Sequence, residues 1–157
     1  MPDLLALYLR NHEAAARGGA DLFRRAAASQ RQRPYGGEVL ALRDEVVEDL
    51  ATLRGLMQRR GVRPDPVMGA AIQIGERIGR LKPNGHLLTR SPLSDLVEVE
   101  AMLDAVFAKA NGWRALTAAG LGEQEPALAE LRNRADDQIR RLQELHGEVS
   151  AAVFGPG

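Results

Sequence analysis

The sequence of 157 residues contains no cysteine, which excludes disulfide bonds, thiolate metal ligands and cysteine nucleophiles. It carries 21 basic and 21 acidic residues, so it lacks the net positive charge that favours nucleic-acid or membrane-surface binding. It has no apolar run long enough to span a bilayer, and residues 1–5 show no basic leader. We therefore expect a cytoplasmic protein that binds neither nucleic acid nor membrane.

The composition that is present, 45% hydrophobic and 27% charged, is typical of a globular chain, and its length suits one domain over residues 1–157. Apolar residues recur at steps of three and four, which predicts helices over residues 3–31, 38–60, 92–119 and 124–153. The predicted core face of the third helix includes Leu103 and Phe107. Asp3 is placed to cap the first helix and Gly61 to end the second. No stretch shows the alternation of a strand.

The middle of the chain, residues 61–95, interrupts this helical pattern with several prolines and glycines. Asp65-Pro66 and Ser91-Pro92 each combine a capping residue with a proline at the first helical position, so each predicts a helix start. The first would open a short helix that ends near Gly79. A connection of roughly thirty residues is long enough to make helices two and three parallel. The predicted fold is an all-α, ferritin-like four-helix bundle with one long crossover that contains a short extra helix.

The ligand pattern of di-iron bundles, a glutamate on two helices and Glu-x-x-His on two others, is absent. The three histidines are His12, His86 and His146, and none follows a glutamate by three residues. Helix two has a second glutamate, Glu48, at the position where the pattern from Glu45 requires histidine. A complete di-iron site is therefore not expected.

Three polar residues nevertheless fall on predicted core faces, His12, Asp49 and Glu100, and Asp136 lies close to one. His12 and Asp49 are each about ten residues from the same predicted end of the bundle, which would allow them to meet. Burying such groups without partners costs several kcal/mol, so each needs a hydrogen bond, an ion pair or a metal. In one interpretation they pair with each other or with an arginine such as Arg24 or Arg54, or lie at a wet edge. In the other, they are the ligands of iron or another divalent metal.

The central segment also has an excess of basic residues, including Arg59, Arg60 and Arg63. Such a run forms either an anion site or a solvated face that pairs with acidic residues of helices two and three. The lack of interleaved aromatic residues favours the solvated face over single-strand nucleic-acid binding.

Two runs of the middle segment, residues 79–85 (GRLKPNG) and 91–100 (SPLSDLVEVE), resemble a family of uncharacterised actinobacterial proteins of ferritin-like bundle type. Residues 8–15 (YLRNHEAA) and 48–50 (EDL) are similar to that family too. The resemblance implies a ferritin-like fold and no particular substrate.

Together with the missing di-iron ligands, this resemblance favours a non-catalytic bundle that has no cofactor. Such a bundle would act as a homodimer or through a protein partner. The alternative is a divergent metal-binding, oxidoreductase-type bundle that uses His12, Asp49 and Glu100.

Overall fold

The computed structural model describes residues 1, 3–67 and 90–155. Over these ranges the chain forms four α-helices and one short 3-10 helix, with no strand, which confirms the expected all-α architecture. We number the helices α1 (Leu4–Ser29), α2 (Gly36–Arg59), α3 (Pro92–Ala118) and α4 (Ala127–Phe154), and the 3-10 helix spans Leu121–Glu123. None of the described helices combines the length and apolar content needed to cross a bilayer.

The helix ends follow the capping residues of the sequence. Asp3 accepts a hydrogen bond from the Ala6 amide at 3.0 Å, which caps α1. Ser91 and Ser94 form a reciprocal capping box at the start of α3, with a proline at the next position. Gly61 ends α2 with a φ of +66°, a left-handed conformation that glycine adopts at little cost. All three predicted helix ends are confirmed.

The direction of each helix can be established from side-chain pairs across the bundle. His12 and Gly19 of α1 face Gly112 and Ala105 of α3, so these two helices are antiparallel. The short turn between α1 and α2 makes that pair antiparallel as well. It follows that α2 and α3 run in the same direction.

The two ends of the bundle are marked by ion pairs. At one end Arg59, the last residue of α2, binds Glu125 at 2.7 Å. At the other end Arg33 and Arg90 each lie 2.6 Å from buried Asp95 near the start of α3. The chain therefore leaves α2 at one end and enters α3 at the other, as a long crossover requires. The predicted short helix and most of the basic segment lie outside the described residues.

The core is built from aliphatic side chains of all four helices, among which Leu9, Leu42, Met102 and Leu142 are fully buried. On α3 the predicted face is displaced. Phe107, expected in the core, is 39% exposed, whereas its neighbour Val106 is buried. The reason is that apolar residues occur all around α3, so their spacing does not select one face.

Candidate functional site

A cavity of about 530 Å³ lies between α1, α2 and α3. Ligand sites in proteins typically enclose roughly 300–1,000 Å³, so the space suits a small organic molecule. Two of its lining residues, Asn11 and Ala108, are exposed, which places an opening between α1 and α3. Residues with little or no side chain leave the space open: Ala15, Ala16, Gly19, Ala105, Ala108 and Gly112.

The deeper walls of the cavity are apolar. They come from α1, α2 and α3 and include the side chains of Phe23, Leu50, Leu53, Val106, Trp113 and Leu116. The indole Nε1 of Trp113 is buried and meets no hydrogen-bond acceptor among the described residues. A buried donor without a partner is uncommon in folded proteins, so the wall retains unused hydrogen-bonding capacity.

His12 lines the cavity from α1, and its imidazole ring packs against Gly112 of α3. It packs against Tyr8, with ring centroids 4.4 Å apart. A Cβ atom at Gly112 would lie 2.8 Å from two atoms of the imidazole, so the ring fits there because residue 112 is glycine. Burial lowers the pKa of His12 below its ordinary value, so the imidazole is neutral at physiological pH. Over the described ranges neither ring nitrogen has a hydrogen-bond partner.

Asp49 and Lys109 form an ion pair on the same cavity. Lys109 Nζ lies 2.5 Å from Asp49 Oδ2 and donates a second hydrogen bond, also 2.5 Å long, to Gln138 Oε1. Arg134 binds the other oxygen of Asp49 at 3.1 Å. Desolvation lowers the pKa of Lys109, and the charge of Asp49 opposes that shift. Because these groups satisfy one another, they have little capacity left for a ligand.

The three candidate metal ligands do not converge. His12 and Asp49 both line the cavity, as the helix positions suggested. Glu100 instead has 53% of its side chain exposed and lies 3.3 Å from His146 on α4. Its position follows from the same rotation of α3 that exposes Phe107. Among the described residues no group of three or more histidine, aspartate or glutamate side chains is arranged to hold a metal ion.

Asp49 is also a poor metal ligand in this arrangement, because both of its oxygens already face cations, Lys109 and Arg134. A divalent ion would have to displace them against their charge. The interpretation in which the buried polar groups are paired therefore describes Asp49 well, although its arginine is Arg134 and not Arg24 or Arg54.

Sequence reasoning missed Glu13, which is fully buried beside His12. Its carboxylate receives Arg17 at 3.0 Å and Arg54 at 2.8 Å. The spacing contained a signal, since Glu13 follows buried Leu9 by four residues and so shares its face of α1. Lys109 and Gln138 were missed as well, and their pairing with α2 joins residues far apart in the chain.

No family model, curated protein or solved structure matches this chain. The resemblance to an actinobacterial ferritin-like family therefore stays a prediction.

Proposed function

We propose that the protein binds one small, mostly apolar molecule in the cavity between α1, α2 and α3, and that it does so without transforming the molecule. The observation that carries the proposal is the 530 Å³ space with apolar walls. Protein interiors are normally packed to the density of organic crystals, with few voids larger than a water molecule. A space of this size is therefore unusual within a core, and its volume falls in the range of ligand sites.

The side chains around the cavity support binding more than catalysis. Asp49 and Lys109 are held by each other and by α4, so neither is free to transfer a proton or attack a substrate. His12 has no carboxylate among the described residues to orient it, as the base of a catalytic triad would.

The test uses N-phenyl-1-naphthylamine, an uncharged probe whose emission rises in an apolar site. Trp113, the one tryptophan of the chain, lines the cavity, so energy transfer from it to the probe is strongest when the probe binds there. We expect saturable binding of one probe per chain. Ala15→Phe, which fills the cavity, should weaken binding at least about tenfold, a loss of roughly 1.4 kcal/mol.

The matched control is Ala28→Phe, the same substitution at an exposed position of α1 that does not line the cavity. It should leave the affinity unchanged. Absence of saturable binding to the unaltered protein, or equal affinity in the two variants, would overturn the proposal.

Self-association or binding of a protein partner stays a second proposal, supported by large apolar side chains on the surface. Leu4 and Phe154 are each 72% exposed and Leu93 is 47% exposed. Light scattering over a range of protein concentrations tests this proposal. A homodimer should double the monomer mass, and a strict monomer at high concentration would refute self-association.

The ferritin-like relationship and the oxidoreductase-type alternative are tested together by metal analysis of untagged protein. Stoichiometric iron or another divalent metal that is lost in His12→Ala would favour the alternative. The positions of Glu100, Lys109 and Arg134 lead us to expect no such metal.

A further inference from the structure

We infer that the molecule bound in the cavity carries one uncharged hydroxyl group, as a phenol or an alcohol does, and that this group hydrogen-bonds to His12. The inference rests on the proposed function, since it names the class of ligand for the same cavity.

His12 differs from the charged groups of the cavity, Asp49 and Lys109, because no described residue forms a hydrogen bond with it. Asp49 and Lys109 bind each other and Gln138, with distances of 2.5 to 3.3 Å. His12 lies on the cavity with Gly112 behind its ring, and neither of its nitrogens is paired over the described ranges. The described residues therefore leave its hydrogen-bonding capacity unmet.

The chemistry of a neutral imidazole selects the group that pairs with it. One ring nitrogen donates a hydrogen bond and the other accepts one. A hydroxyl group can act as either partner, so it satisfies His12 whichever nitrogen carries the hydrogen. A pure hydrocarbon of the same shape would expel water from the imidazole and return no hydrogen bond, at a cost of about 1–3 kcal/mol.

The charges around the cavity argue against an ionised ligand. The ammonium of Lys109 is already neutralised by Asp49, and Arg134 binds the second oxygen of the same carboxylate. Among the described residues that line the space, a ligand carboxylate would therefore meet no free cation, and a ligand ammonium would meet no free anion. Burying a charge without a partner is far more costly than burying a hydroxyl group that makes one hydrogen bond.

The test compares two isosteric probes, 2-naphthol and 2-methylnaphthalene, which differ by a hydroxyl group in place of a methyl group. Affinities are measured by equilibrium dialysis for the unaltered protein and for His12→Phe. The variant keeps an aromatic ring but removes both nitrogens. We expect it to bind 2-naphthol about tenfold more weakly, as the loss of one hydrogen bond implies, and 2-methylnaphthalene at least as well as before.

Two further variants separate the hydrogen bond from general damage to the fold. His146→Phe makes the same substitution at the half-exposed histidine that pairs with Glu100 outside the cavity, and it should change neither affinity. His12→Gln keeps a donor and an acceptor and should recover part of the affinity for 2-naphthol. Retained binding of 2-methylnaphthalene by His12→Phe shows that the cavity has formed.

The outcomes distinguish this inference from the proposed function. Equal losses for both probes in His12→Phe, or no loss for 2-naphthol, would overturn the role of His12 while leaving the cavity a binding site. Tighter binding of 2-naphthoate than of 2-naphthol to the unaltered protein would overturn the uncharged class. If neither naphthalene probe nor N-phenyl-1-naphthylamine binds, the proposed function fails and the inference fails with it.

Discussion

Replacing Asp49 by asparagine removes the negative charge that Lys109 and Arg134 share, with little change in shape. Asp49 is 1% exposed, and Lys109 Nζ lies 2.5 Å from its Oδ2 atom. After the substitution the ammonium of Lys109 is left in the cavity wall beside the amide of the new asparagine. The prediction is a lower free energy of unfolding, because the variant keeps a desolvated cation without its counter-ion.

The magnitude follows from how far the cation can escape to water. Breaking a fully buried ion pair by removing one partner typically costs about 3–5 kcal/mol. The side chain of Lys109 is 12% exposed, so part of its charge can be hydrated after a small shift. We therefore expect a loss near the lower end of that range, about 3 kcal/mol.

Urea unfolding followed by circular dichroism measures this loss, and a double-mutant cycle identifies its cause. In Asp49→Asn combined with Lys109→Met both charges are gone, so the double variant should recover most of the stability. The coupling energy between the two sites should exceed about 2 kcal/mol.

The control is Asp136→Asn, the same substitution in a pair with Arg114 whose carboxylate is 55% exposed. It should cost less than about 1 kcal/mol, because exposed pairs contribute little. If Asp49→Asn lost no more than this control, or if the losses at Asp49 and Lys109 were additive, the reasoning would be refuted.

Three further predictions concern the residues around His12. Gly112→Ala should fail to gain the roughly 1 kcal/mol of helix propensity that alanine normally provides, because its Cβ would lie 2.8 Å from the His12 ring. Gly147→Ala, whose Cβ meets nothing within 4 Å, should gain most of it, and equal urea midpoints would contradict the packing at Gly112. Because burial lowers the pKa of His12 from its ordinary value of 6.5, the unfolded chain takes up the proton first. The free energy of unfolding should therefore fall as the pH drops below 6.5 towards the pKa of His12 in the folded protein. His12→Phe should remove that part of the dependence of stability on pH. An unchanged pH dependence in the variant would exclude His12 as its source. Glu13→Gln should lower the free energy of unfolding by about 2–3 kcal/mol, because the fully buried carboxylate binds Arg54 at 2.8 Å, and urea unfolding without a loss would disprove its role in the core.

The sequence determined the helices because their signals are local. Spacing at three and four residues defines each helix, and Asp3, Gly61 and Ser91 define ends within one or two residues of those observed. The start of α4 was predicted at residue 124 and lies at Ala127, because residues after Gly120 first form a 3-10 turn. A turn of this kind depends on only a few hydrogen bonds, which leave little trace in hydrophobic spacing.

The face that each helix presents to the core was predictable where apolar and polar residues lie on opposite sides of the helix, as on α2 and α4. The core face of α3 was not predictable, because α3 has apolar residues on all of its sides. Glu100 and Phe107 were assigned to the core, although both are exposed. Tertiary packing decides the rotation of α3, and on the side that faces α1 it places Gly112 against the His12 ring.

The candidate site was predictable only in part. Helical spacing placed His12 and Asp49 on inward faces at similar depth, and both line the cavity. The partner of Asp49 could not be predicted in this way. Lys109 is 60 residues away in the chain, and it reaches Asp49 only across the bundle. Which small residues leave a space, and which side chains close it, depends on the register between helices. That register is set by tertiary packing, whereas helix formation and capping are set within a few residues along the chain.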